Sequence, residues 1–144
     1  MSNYKKIIVA IDIQTEHEQV INKALTICDS PEELYLTYVP VPSMYITPYL
    51  YGVDYSVIND TERMSLFHKE LNEIATKFGI PEKNVLFKAG EAADEIKNFA
   101  NEIAADLIVI GTHGRSGIKL LLGSTANSVL HGVKQDVLAV RIAE

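Results

Sequence analysis

Cysteine occurs once in this sequence, at Cys28, so no internal disulfide can form and no cysteine-based zinc site can be built. Cys28 falls on the apolar stripe of a helical pattern, where a buried, inert thiol is expected. Positive charge is in deficit: 13 Lys and Arg against 19 Asp and Glu give a net charge of −6. That balance offers no basic face to displace counterions from a phosphate backbone, which argues against a nucleic-acid partner. Long hydrophobic runs are missing too. The run Ile7 to Ile11 is too short for the hydrophobic segment of a secretory signal and far too short to span a bilayer. A reducing, cytoplasmic setting without membrane contact is the expectation.

Familiar chemical fingerprints are also absent. There is no G-x-x-x-x-G-K-[ST] loop, and Asp12-Ile13-Gln14-Thr15 stands where a dinucleotide fold would need G-x-G-x-x-G. Ser116, Ser124 and Ser128 lie in no G-x-S-x-G elbow. None of His17, His68, His113 and His131 has a partner at metal-ligand spacing. His17, His68 and His131 read as surface or capping groups on helices. His113, in a glycine-rich loop, reads equally as a polar contact or a plain loop residue. No catalytic residue and no metal ligand is assigned, so the chain reads as built to bind rather than to transform.

What is present is an ordinary globular composition, 47% hydrophobic and 22% charged over 144 residues. That length suits one domain, residues 1–144, burying roughly 70% of the surface its unfolded chain exposes. Five short apolar runs read as strands: Ile7–Ile11, Leu34–Val39, Val85–Phe87, Leu107–Ile110 and Val137–Val140. Helical patterns lie between them. The first carries Val20, Ile21, Ala24, Leu25 and Cys28, with Thr15 to Glu18 in the form of a capping box and Ser30-Pro31 as the break. The second carries Met64, Phe67, Leu71, Ile74, Ala75 and Phe78, and ends where Gly79 can turn left-handed ahead of Pro81. The third carries Ile96, Phe99, Ala100 and Ile103. The fourth carries Ala126, Val129, Leu130 and Val133, with Gly132 as its exit. Residues 40 to about 59, with four tyrosines and three prolines, fit no element and read as a long connection, a surface loop or a lid. Strand–helix alternation predicts an α/β domain: parallel strands, right-handed crossovers, and helices on both faces of an open sheet.

The most informative stretch is Leu107 to Leu130. A strand pattern stops at Gly111, glycines follow at 114 and 117, and Gly123-Ser124-Thr125 opens a helix. Glycine lets backbone approach a ligand, and the free N–H groups and dipole of a helix start favour an anion. Arg115 adds a mobile positive charge. The stretch reads as a phosphate cradle, although Ser124 and Thr125 would serve equally as plain N-cap residues. In open α/β sheets ligands bind beyond the carboxyl ends of the strands, where strand order reverses. Asp12 lies at such an end. It suits a water-mediated metal contact, a hydrogen bond to a ligand, or a simple turn.

The whole chain resembles the universal stress protein family. IIVAIDIQTEHEQVINKAL is similar to the family's first strand and helix, LTYVPV to its second strand, and KAGEAADEIKNFANEIAADLIVIGTHGRSG to the segment leading into its nucleotide loop. The family pattern of Gly, two residues, Gly, nine residues, then Gly-Ser or Gly-Thr is met by Gly111-Thr112-His113-Gly114 and Gly123-Ser124. Here eight residues, Arg115 to Leu122, fill the interval. The resemblance implies a Rossmann-like sheet of the adenine nucleotide alpha hydrolase type, with strand order 3-2-1-4-5. It implies ATP, with or without Mg²⁺, as the ligand. Gly111 opens the loop, and Gly114, Arg115, Gly123, Ser124 and Thr125 would surround the phosphates. Asp12 would lie by the ribose-phosphate or metal region, and Ala10 to Asp12 with Val39 would line the adenine pocket. It further implies a homodimer through the last strand, Val137 to Val140, and a stress-response interaction role with at most weak ATP hydrolysis. A nucleotide-independent dimer of the same fold is the alternative.

Overall fold

Three consecutive β-branched residues, Ile7, Ile8 and Val9, are each 0% exposed, because their strand is covered on both faces and flanked on both edges. In the computed structural model, residues 3–40, 55–112 and 124–142 are described, with 55–60 and 124 described as backbone only. The strands are β1 (Ile7–Ala10), β2 (Leu34–Tyr38), β3 (Val85–Phe87), β4 (Leu107–Gly111) and β5 (Asp136–Val140). The helices are α1 (Glu18–Leu25), α2 (Tyr55–Lys77), α3 (Ala92–Ile103) and α4 (Ser124–Gly132). All strand pairs are parallel, in the order β3-β2-β1-β4-β5. The doubly wound sheet expected from the alternation, and the order implied by the resemblance, are both found.

Side-chain alternation along each strand divides the core into two layers. Ile7 and Val9 of β1 face Val20, Ile21 and Ala24 of α1 and Leu71 and Ala75 of α2. Ile8 and Ala10 face the other way, toward Ile96, Phe99 and Ala100 of α3 and Ala126 and Val129 of α4. Each fully buried aliphatic side chain contributes about 1.5–3 kcal/mol. The Cys28 thiol is half-buried against the first layer, and burial pushes its pKa up, in keeping with an inert group.

Three local expectations change. Thr15 to Glu18 forms no capping box. The Thr15 N–H and hydroxyl both turn back to the Asp12 carbonyl, at 3.1 and 3.3 Å, so Thr15 closes the turn after β1. The helix starts after His17, and the Glu16 carboxylate takes the Glu18 N–H at 2.7 Å. Helix α1 ends at Leu25, and Ser30-Pro31 instead opens a separate 3₁₀ turn, where Ser30 Oγ accepts the Glu32 N–H. Helix α2 begins at Tyr55, inside the segment read as irregular, while residues 41–54 lie outside the described residues. The stop at Gly79 is as expected: φ is +78°, and the Ile80 N–H reaches the Ala75 carbonyl at 2.8 Å, closing a Schellman motif.

Two tight spots hold the sheet edges. Asn84, 4% exposed, donates through Nδ2 to the Glu32 and Leu34 carbonyls at 2.9 and 3.0 Å, tying the approach to β3 onto the start of β2. Gly111 is held by close packing: a β-carbon there would lie 2.8 Å from both Val20 Cγ2 and Ile142 Cδ1. Asn84→Ala strips one buried and one part-buried carbonyl of their donor and should lower unfolding free energy by about 1–3 kcal/mol in urea titration. Gly111→Ala should lower it by about 1–3 kcal/mol, since stiff Val20 has little room to yield. Stability equal to the parent in either variant would contradict these packing assignments.

Candidate functional site

Ala10, Thr37 and Ile110 are neighbours in the ladder across β2, β1 and β4, on the face covered by α3 and α4. Beyond this row the strands end and the helices have not yet closed over them. A cavity of about 480 Å³ opens there. Its apolar part is lined by Ala10, Val39, Ala92, Ile96, Ile110 and Ala126. Three of these are alanines, so the space between sheet and helices stays wide. Asp12, Gly111 and Thr125 also line the cavity. The crevice expected where β1 and β4 part is therefore present, and it gathers Ala10, Asp12, Val39, Gly111 and Thr125.

Asp12 stands two residues past the end of β1. Its Oδ1 accepts the Gln14 N–H at 2.9 Å and fixes the turn, while no protein group among the described residues engages Oδ2. The carboxylate is exposed, so its second oxygen is free to accept from a guest. Of the three roles the sequence allowed, the turn is occupied by one oxygen and ligand contact is left open to the other.

Two helices begin at this cavity, and they differ in charge. At the start of α3 the Glu91 carboxylate accepts the Asp94 N–H at 2.9 Å, and Asp94 and Glu95 stand in the first turn. That helix start is already neutralised. Helix α4 has no acidic residue in its first turn, and Thr125 and Ala126 bring that turn to the cavity wall. An anion entering the cavity is repelled by the first and attracted by the second. Ser124 is the first helical residue of α4, so Ser124 and Thr125 lie within the helix rather than before it.

Several wall residues were not singled out in the sequence. Arg63 of α2 reaches the cavity, with its guanidinium 5.1 Å from the centre of the Phe67 ring. Phe67 meets Tyr38 edge-on at 5.4 Å. Burial, and then the negative charge of Asp12, push the Tyr38 phenol up to about 12, so it stays protonated across the physiological range. Arg63 precedes Phe67 by one helical turn on the stripe that continues to Leu71, and that spacing was the available signal. Thr37, 0% exposed, is among the residues around the cavity, and its hydroxyl has no hydrogen-bond partner among the described residues. Its signal was one polar residue inside the apolar run Leu34–Val39.

His113, Gly114, Arg115 and Gly123 lie outside the described residues, and of Ser124 only the helical backbone is described. Among the described residues no group of three or more His, Cys, Asp or Glu side chains is placed to hold a metal ion, and no helix is long and apolar enough to cross a membrane. His17 precedes α1 without capping it through its side chain, and its Nδ1 lies 3.0 Å from the Thr15 carbonyl. His68 stacks on Phe87 at 4.7 Å, away from the cavity.

Comparison with known proteins agrees with this architecture. The chain is 42% identical over 146 residues to universal stress protein A homolog 2 of Coxiella burnetii, covering 99% of this chain and 98% of that protein. Its fold is similar to that of the universal stress protein UspA from Lactobacillus plantarum, with a TM-score of 0.68 at 20% identity over 98% of this chain and 100% of the other. A universal stress protein solved in complex with cAMP matches with a TM-score of 0.64 at 24% identity, covering 97% and 98% of the two chains. The model of the universal stress protein family matches residues 3–141. With its parallel sheet, its crevice beyond β1 and β4 and these matches over nearly its full length, the chain belongs to the universal stress protein family.

Proposed function

We propose that this protein binds ATP or a related adenine nucleotide in the cavity beyond β1 and β4 and works as a ligand-dependent interaction module in a stress response. The observation that carries the reading is the make-up of the cavity: apolar walls together with a helix start free of acidic side chains. A flat heterocycle suits the first and phosphates suit the second. The structural neighbour in complex with cAMP supports an adenine nucleotide as the ligand class.

In this reading Ala10 and Val39 line the base, and Asp12 Oδ2 accepts a hydroxyl of the ribose. Gly111, Gly114, Arg115, Gly123, Ser124 and Thr125 surround the phosphates, as the family's loop pattern implies. Mg²⁺, where it accompanies ATP, is carried chiefly by the phosphates. In this reading the nucleotide acts as a bound signal, with at most weak hydrolysis. The protein works in the cytoplasm as a homodimer through β5. Val137 and Ala139 turn their main-chain groups outward there, because Val140 is the residue whose carbonyl receives the Thr112 N–H from the β4 side.

Isothermal titration of ATP into nucleotide-free protein, with and without Mg²⁺, should give saturable heat and a concentration-dependent rise in Tm. Silence in both measurements at millimolar ATP removes the proposal. Gly123→Val should abolish that binding by filling the phosphate space, and retained affinity would place the phosphates elsewhere. Ala139→Pro removes an outward-facing N–H at the sheet edge without taking a bond from β4, so it should leave a folded monomer in analytical ultracentrifugation. A dimer as tight as the parent's would assign the interface to another surface.

A further inference from the structure

Among the described residues, Thr37 is the one fully buried polar residue whose side chain has no hydrogen-bond partner. It sits in mid-strand in β2, is 0% exposed, and its Oγ1 has no hydrogen-bond partner among the described residues. Buried side-chain oxygens of Asn72 and Gln135 also lack one, but these residues are only partly buried, and Glu95 Oε1 has the Lys88 ammonium at 3.5 Å. Asn84, the other fully buried polar residue described, has both donor bonds of its amide in place. A buried hydroxyl without a partner is costly, and valine would fill the same space on a strand without that cost. Such a group is explained when something outside the unliganded protein completes it.

Its position says what that is. Thr37 pairs with Ala10, Ala10 pairs with Ile110, and all three line the cavity in one row. Across from that row stand Ala92 and Ile96 of α3 and Ala126 of α4. The walls are aliphatic and spaced by alanines, which suits a flat ring lying against the sheet. A hydroxyl both donates and accepts, so it meets a ring nitrogen or an exocyclic amine equally well. Resting on the nucleotide reading above, we infer that Thr37 is a specificity-determining residue whose hydroxyl hydrogen-bonds the edge of the bound heterocyclic base. It favours a nitrogen heterocycle over an apolar ring of the same shape.

The test is titration of ATP and of AMP into the parent, Thr37→Val and Thr37→Ser, with Tm measured for each nucleotide-free protein. Thr37→Val should raise Tm, because the unpaired hydroxyl is gone, and should weaken both nucleotides about tenfold, or about 1.4 kcal/mol. Thr37→Ser keeps the hydroxyl and should hold affinity within about threefold while lowering Tm for the lost methyl group. The opposite movement of stability and affinity in Thr37→Val is the signature, since a purely structural role would lower both. Parental affinity in Thr37→Val overturns the inference while leaving nucleotide binding intact, and so does a loss confined to ATP, which would implicate the phosphates. A parent protein that binds neither nucleotide takes down the functional reading and this inference together.

Discussion

The main-chain ladder that holds β1 between β2 and β4 is the constraint on which the rest depends. Parallel pairing aligns the carboxyl ends of the three strands, and the register sets Ala10 beside both Thr37 and Ile110. Because β1 has neighbours on both edges and helices on both faces, its side chains are fixed by packing on every side. The chain leaves β1 toward one face of the sheet and leaves β4 toward the other, since α1 packs in one layer and α4 in the opposite one. That divergence opens the cavity. Asp12 and Gly111 both line it because one lies two residues past β1 and the other ends β4, strands that run side by side.

Charge then decides which part of the cavity suits which guest. A chain of net charge −6 does not attract anions as a whole, so any affinity for phosphate must come from short-range, oriented groups. The two helix starts provide the contrast. Glu91 occupies the N–H groups of α3, whereas α4 opens without an acid. Tyr38, protonated throughout, adds an uncharged wall, and Arg63 is the positive side chain that α2 contributes. One cavity thus combines apolar walls with polar groups, an arrangement suited to a molecule with a flat part and a charged part.

How much of this was legible from residues alone depended on whether the cause was local. Strand runs such as Val85–Phe87 and Leu107–Ile110 could be read because buried parallel strands are continuously apolar. The stop at Gly79 could be read because only a left-handed residue closes that motif without strain. Thr15 to Glu18 misled because the S/T-x-x-E pattern carries no information about a competing acceptor, and the Asp12 carbonyl took the Thr15 hydroxyl first. The early start of α2 was missed because Tyr55 to Asn59 were read together with the tyrosine- and proline-rich connection before them. A helix of 23 residues there draws its stability from packing along its later turns.

By itself, the sequence determined the alternation of strands and helices, the two-faced burial of the sheet and the anion-favouring start of α4, because each follows from propensities and periodicities within a few residues. Its resemblance to a family implied the strand order that the sheet has. Only the tertiary structure decided that Arg63 reaches the cavity, that Val20 and Ile142 claim the space over Gly111, and that Thr37 is buried without a partner. The physical reason is the same in each case. Close approach and unmet hydrogen bonding are properties of every neighbour around a group, and those neighbours come from segments far apart in the chain, brought together only by packing.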